Sequence, residues 1–87
     1  MNKDRRKAIE EIKAKIEEAQ TIMNEAKENL ESIRDEEQDY YDNMPEGFQN
    51  GEKGQRAEEV VGYLDEAIND LDIDFDNIIQ QLDDAAQ

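Results

Sequence analysis

Four aspartates alternate with apolar residues near the C-terminal end of the chain. The stretch reads "NDLDIDFDNII" from residue 69 to residue 79, and its aspartates are Asp70, Asp72, Asp74 and Asp76. Three structures are compatible with this alternation: a half-buried strand, a helix with an aspartate-rich surface, or a calcium loop, because calcium prefers carboxylate ligands. An EF-hand loop that started at Asp70 would need Gly sixth and Glu twelfth, where the chain has Phe75 and Gln81. We therefore favour the helix, which scatters the four carboxylates and predicts no metal site.

Other side chains that could support catalysis are few. The chain has no Cys and no His, which excludes thiolate chemistry, disulfides, zinc sites of the usual ligands and imidazole acid–base catalysis. Carboxylate pairs such as Glu36 with Asp39 fall on a helix surface where nothing would desolvate them and raise a pKa. The sequence "GEKG" lacks the spacing of a phosphate-binding loop. We expect a protein without enzymatic activity or cofactor.

Two apolar stripes with helical spacing organise the chain. The first comprises Ile9, Ile12, Ile16, Ala19, Met23, Ala26, Leu30 and Ile33, and the second comprises Ala57, Val61, Leu64, Ile68, Leu71, Phe75, Ile78, Leu82 and Ala85. Steps of three and four residues predict amphipathic helices over residues 4–40 and 55–85. The intervening loop, residues 41–54, holds the only Pro and three of the four Gly residues, and Met44–Pro45 could begin a short helical turn there.

The stripes predict an all-α fold: an antiparallel two-helix hairpin, similar to a coiled coil, that forms one domain over residues 1–87. Folding at the loop pairs Ile33 with Val61 and Ala19 with Phe75. It also places the basic residues near the N-terminus beside the acidic C-terminus. A lone helix pair buries little apolar surface, so we expect a homodimer that forms a four-helix bundle. Candidate residues for this self-association flank the stripes: Ile22, Val60, Ala67 and Ile79.

Two groups of residues are candidates for binding a partner. At the hairpin tip, apolar side chains stand among acidic ones, namely Tyr41, Met44 and Phe48. Such a group suits a protein-binding site, although these side chains could instead close the end of the hairpin core. In the second helix, Ile73 lies opposite the apolar stripe between aspartates, which gives the second group: Asp70, Ile73 and Asp74. A single exposed Ile is also common in proteins that bind nothing.

Acidity is the strongest global feature. The formal net charge is −15, which opposes direct binding to nucleic acid or to anionic membranes. A negative helical surface attracts a basic groove on another protein and can imitate the phosphate backbone of a nucleic acid. The alternative is that the charge only maintains solubility. No apolar run is long enough for a membrane span, so we expect a cytoplasmic protein whose partner is another protein with a basic surface.

The middle of the chain carries a resemblance to a known family. The segments "DEEQDYYDNMPE" and "GEKGQ", within residues 33–69, resemble short acidic helical proteins found in bacteriophages and prophages. The resemblance implies only a phage-like origin and a helical hairpin, and no particular activity. If the origin is a phage, we expect the protein in the host cytoplasm. Small acidic phage proteins often occupy host proteins, including defence enzymes that bind nucleic acid.

Three functions remain open from the sequence. The first is a non-catalytic acidic protein-binding module, of the type by which a phage inhibits a host protein by occupying its basic or nucleic-acid-binding surface. The second is a structural bundle that assembles with itself and has no foreign partner. The third is a binder of small ligands or nucleotides at an oligomer interface, where Arg5 and Arg6 would contact the anion.

Overall fold

The computed structural model describes the whole chain from Met1 to Gln87 and confirms an all-α protein. Helices account for 86% of the residues and there is no strand. The elements are α1 (Lys3–Asp42), α2 (Glu46–Gln49), α3 (Glu52–Asp70) and α4 (Phe75–Ala86). The chain divides into two compact units, one formed by Met1–Glu25 with Ile73–Gln87 and the other by Ala26–Asp72. We call them the terminal unit and the central unit.

In the central unit, α1 and α3 run antiparallel. Arg34 contacts Asp65 at 3.1 Å and Lys27 contacts Asp72 at 3.7 Å. From the first pair to the second, the residue number falls by seven on α1 and rises by seven from Asp65 on α3 to Asp72, two residues past its end, as expected when heptads face each other in opposite directions. The core beneath these pairs is small, and its buried apolar residues are Ala57, 1% exposed, and Ile68, 6% exposed.

The prediction of one continuous helix over residues 55–85 is wrong. The helix ends at Asp70, and a new helix begins at Phe75. Asp74 is the N-cap of α4, because its side chain accepts a hydrogen bond from the backbone N–H of Asn77 at 3.0 Å. Asp and Asn side chains compete with helical hydrogen bonding and favour helix ends, so the aspartate-rich stretch interrupts the helix that its apolar spacing alone would continue.

The new start of α4 changes which of its residues pack in the terminal unit. The sequence stripe includes Ala85, but Ala85 is exposed, whereas Ile79 and Ala86 are half-buried together with Phe75, Ile78 and Leu82. Because α4 begins at its own N-cap, its residues need not continue the helical periodicity of α3. The packed face of α4 is therefore turned relative to the predicted one.

The packed face of α1 is turned in part, because the stripe residues Ile9, Ile16, Met23 and Leu30 stay half-buried while others are exposed. The stripe residues Ile12, Ala19 and Ile33 are exposed, and half-buried side chains instead follow the positions one residue later: Lys13, Gln20, Lys27, Arg34 and Tyr41. The basic members of this set bury their aliphatic stems while their charged ends pair with Asp83, Asp72 and Asp65. The packed face of α1 therefore carries ion pairs to the facing helices beside its apolar residues.

Candidate functional site

The tip between α1 and α3 is a structured element of the central unit. Pro45 is the N-cap of α2 and its carbonyl accepts hydrogen bonds from the backbone N–H groups of Phe48 at 2.8 Å and Gln49 at 3.1 Å. The Gln49 side chain donates to the Tyr41 carbonyl at 3.0 Å, which ties α2 back to the end of α1. A short helix therefore forms after Met44, and hydrogen bonds fix its position.

Close packing of α2 on α3 depends on Gly54. Gly54 is buried, and a Cβ atom at this position would overlap the backbone carbonyl of Gln49. The other glycine inside α3, Gly62, has nothing within 4 Å of the place where its Cβ would be. The tip thus requires a residue without a side chain at position 54, in the "GEKG" segment that closes the loop.

The three predicted tip residues differ in their surroundings. Tyr41 and Met44 are half-buried, so their side chains pack within the central unit. Hydrogen bonding to the Glu58 carboxylate, followed by desolvation, raises the pKa of the Tyr41 hydroxyl. Phe48, in contrast, is 64% exposed. Of this group, Phe48 is the side chain that the tip presents to solvent, and Tyr41 and Met44 close the end of the core.

The residues between α3 and α4 are arranged as a local break. Asp70 is the last residue of α3, Ile73 is exposed in the break, and Asp74 caps α4. The four aspartates therefore have different environments, since Asp72 pairs with Lys27 and Asp76 lies in the first turn of α4. Nowhere in the chain do three or more carboxylates come together as a group that could hold a metal ion.

Most carboxylates lack a basic partner. The chain has 25 Asp and Glu residues, and five of them form ion pairs, which leaves 20 without one. The paired carboxylates are Asp35, Glu59, Asp65, Asp72 and Asp83. The pair between Lys13 and Asp83, at 2.6 Å, raises the pKa of the Lys13 ammonium, chiefly by hydrogen bonding. From Ala57 to the C-terminus there are ten acidic residues and no Lys or Arg.

An exposed apolar face on α1 was not predicted from the sequence. The side chains of Ile12, Ile22, Ile33 and Tyr40 are each about half exposed or more. Ile12 and Ile33 belong to the predicted stripe, and Tyr40 lies seven residues after Ile33; the partial rotation of α1 described above exposes them. Ile22 flanks the stripe and was a candidate for self-association, and among the other candidates Ala67 is exposed while Val60 and Ile79 are half-buried.

No helix in the chain combines the length and the apolar character that a membrane span requires. Comparison of the chain with protein-family models, with curated proteins and with solved structures finds no match.

Proposed function

We propose that this chain is a non-catalytic acidic module that binds a basic surface of another protein. The observation that carries the proposal is the excess of unpaired carboxylates, since 20 of the 25 have no basic partner. Like charges held on one folded chain repel each other, and a basic partner removes part of that repulsion. The partner is therefore a protein whose binding groove carries Lys and Arg.

Phe48 is the proposed apolar anchor of this contact. An aromatic side chain on a fixed tip loses little conformational freedom when it is buried by a partner, and aromatic residues are frequent among those that contribute most to binding. Asp42 and Glu46 stand near Phe48 in the sequence, and both are exposed. Acidic groups around an apolar centre would orient the tip on a basic surface, while the buried ring would supply affinity.

The second contact is the break between α3 and α4. Ile73 is exposed between Asp72 and Asp74 in the chain, and it lies outside any helix. An aliphatic side chain flanked by carboxylates matches a shallow apolar depression with a basic rim. A module that covers such a surface would inhibit a partner that uses the same groove for nucleic acid, by analogy with small acidic phage proteins that occupy host proteins.

A structural role in self-assembly is the second candidate. It is favoured by the small core, in which the buried apolar residues are Ala57 and Ile68, and by the exposed face of α1. In this candidate function, two hairpins form a four-helix bundle without a foreign partner. Self-assembly and partner binding use different residues, so they are separable by substitution.

Capture from a bacterial lysate tests the module with a matched pair of variants. Phe48 and Tyr63 are both 64% exposed, and Tyr63 lies on α3, away from the tip. We expect the wild-type chain and Tyr63→Ala to retain the same basic protein at low salt, and Phe48→Ala to lose most of it. Equal retention by both variants, or retention of no protein by the wild-type chain, would refute the assignment of Phe48 as the anchor of a binding module.

A further inference from the structure

We propose that the exposed face of α1 binds α1 of a second copy of this chain in antiparallel orientation. The part of this face that we assign to the contact is called the open face, and it comprises Ala8, Ile12, Ala19, Ile22 and Ile33. The inference deepens the self-assembly described above and rests on it, because it assigns the surface and the orientation that a dimer uses.

The open face is a continuous helical stripe. Ala8, Ile12, Lys15, Ala19 and Ile22 follow the steps of three and four residues that place side chains on one side of a helix, and Lys15 is the one charged residue among these five. All of them are exposed, as is Ile33. The neighbouring side of α1 carries the half-buried residues, such as Ile9, Ile16 and Met23, that pack within the chain. The open face is therefore apolar surface that intrachain packing leaves uncovered.

Charge along α1 favours the antiparallel orientation. Residues 1–15 carry six basic and three acidic residues, whereas residues 26–40 carry six acidic and two basic residues. Parallel helices would bring like charges together at both ends. Antiparallel helices bring the basic segment of each copy beside the acidic segment of the other, and the same contact then occurs twice in the dimer, as a two-fold axis requires.

Side-chain size favours one register. When Ala19 faces Ile22 of the second copy, Ala8 faces Ile33, so a small residue lies opposite a large one in both layers, as close packing requires. In the same register Lys15 faces Ala26, whose small side chain leaves room for the lysine stem to reach solvent. The two-fold axis then passes between residues 20 and 21.

Cross-linking of single-cysteine variants tests the register directly, because the chain has no cysteine of its own. With a short bis-maleimide reagent, Ala19→Cys should give a covalent dimer. Ala8→Cys alone should give no covalent dimer, since the two copies of residue 8 would be 25 helical residues, or about 38 Å, apart. A mixture of Ala8→Cys with Ile33→Cys should cross-link. Gln81→Cys, an exposed position on α4, measures random collisions.

Light scattering completes the test on the purified chain. We expect the wild-type mass to be twice 10.1 kDa, Ile22→Asp to halve it, and Tyr63→Asp, at an exposed position of α3, to leave it unchanged, with helix content preserved by circular dichroism in both variants. A monomeric wild-type chain, or efficient cross-linking of Ala8→Cys alone, would overturn the inference. Neither result bears on partner capture through Phe48, which is measured separately and with a different variant.

Discussion

The Asp74 carboxylate accepts a hydrogen bond from the backbone N–H of Asn77 at 3.0 Å and so fixes the start of α4. An N-cap of this kind satisfies a backbone donor that the first turn of a helix leaves free. The same residue is a candidate for partner binding, and its two roles call for different properties of the side chain. Capping needs an oxygen acceptor, whereas attraction to a basic partner needs the negative charge.

Two substitutions of Asp74 separate these roles. Asp74→Ala removes the acceptor and should lower the free energy of unfolding by about 1 kcal/mol, whereas Asp74→Asn keeps an acceptor and should leave it nearly unchanged. Urea denaturation followed by circular dichroism measures both. In partner capture, Asp74→Asn should bind more weakly than wild type. Equal destabilisation by the two variants would exclude a capping role for the side chain.

Replacement of Gly54 by alanine should destabilise the tip. The added methyl group would overlap the Gln49 carbonyl, and relief of that overlap requires movement of the backbone, at a cost of about 1 to 3 kcal/mol. Gly62→Ala is the matched control. This position is exposed inside α3 with no atom near the new methyl group, so the better helix propensity of alanine should stabilise the chain by about 0.5 to 1 kcal/mol. Urea midpoints that shift in the same direction for both variants would contradict the packing of α2 on α3.

Tyr41 should make stability depend on pH in the alkaline range. Its folded-state pKa lies above the ordinary value of 10.0 because of Glu58, so its contribution is present below about pH 10 and is lost as the pH rises through the folded pKa. Tyr41→Phe should therefore reduce the decline of unfolding free energy as the pH rises above about 10. Part of the decline should remain, because the pKa of Lys13 is raised too.

Tyr63→Phe is the control for this experiment, because Tyr63 is an exposed tyrosine elsewhere on α3. This variant should follow the wild-type curve over the whole alkaline range. If Tyr41→Phe also follows that curve, Glu58 does not perturb Tyr41 in solution.

Amide hydrogen exchange should locate the break between α3 and α4. The backbone N–H groups of Asp72 and Phe75 donate to the carbonyls of Asn69 and Ile73, but those of Ile73 and Asp74 donate to no backbone carbonyl and lie outside the helices. We expect the amides of Ile73 and Asp74 to exchange faster than those of Ile68 and Ile79. Protection that continues without a gap from Ile68 to Ile79 would instead indicate one uninterrupted helix.

Helix spacing predicted much of the fold. The prediction of the first helix, residues 4–40, lies within the observed Lys3–Asp42, because a long run of apolar residues at steps of three and four has few other structures available. The short α2 follows the only Pro. The break at residues 71–74 was missed because Leu71 and Phe75 keep helical spacing across it. The local signal was the density of Asp and Asn, which favours caps over helix interiors.

The faces of the helices were harder to predict than their positions. Leu64 and Ile68 of α3 pack as the stripe predicts, but on α1 the stripe residues Ile12 and Ile33 are exposed. A stripe identifies apolar side chains, whereas the observed face also depends on Lys13 and Arg34, whose charged ends reach acidic residues of the facing helix. Ion pairs of this kind depend on which residues of two helices face each other, and this cannot be predicted from the spacing of residues within one helix.

The affinity for the captured partner as a function of salt tests the central claim most directly. Titration calorimetry with the purified partner, from about 0.05 M to about 0.5 M salt, should give a dissociation constant that rises steeply with salt, because the ions screen exposed charges at these concentrations. Replacement of Asp70 and Asp74 together by Asn should weaken binding and make the dependence shallower. A dissociation constant that stays the same across the series would contradict binding through the acidic surface.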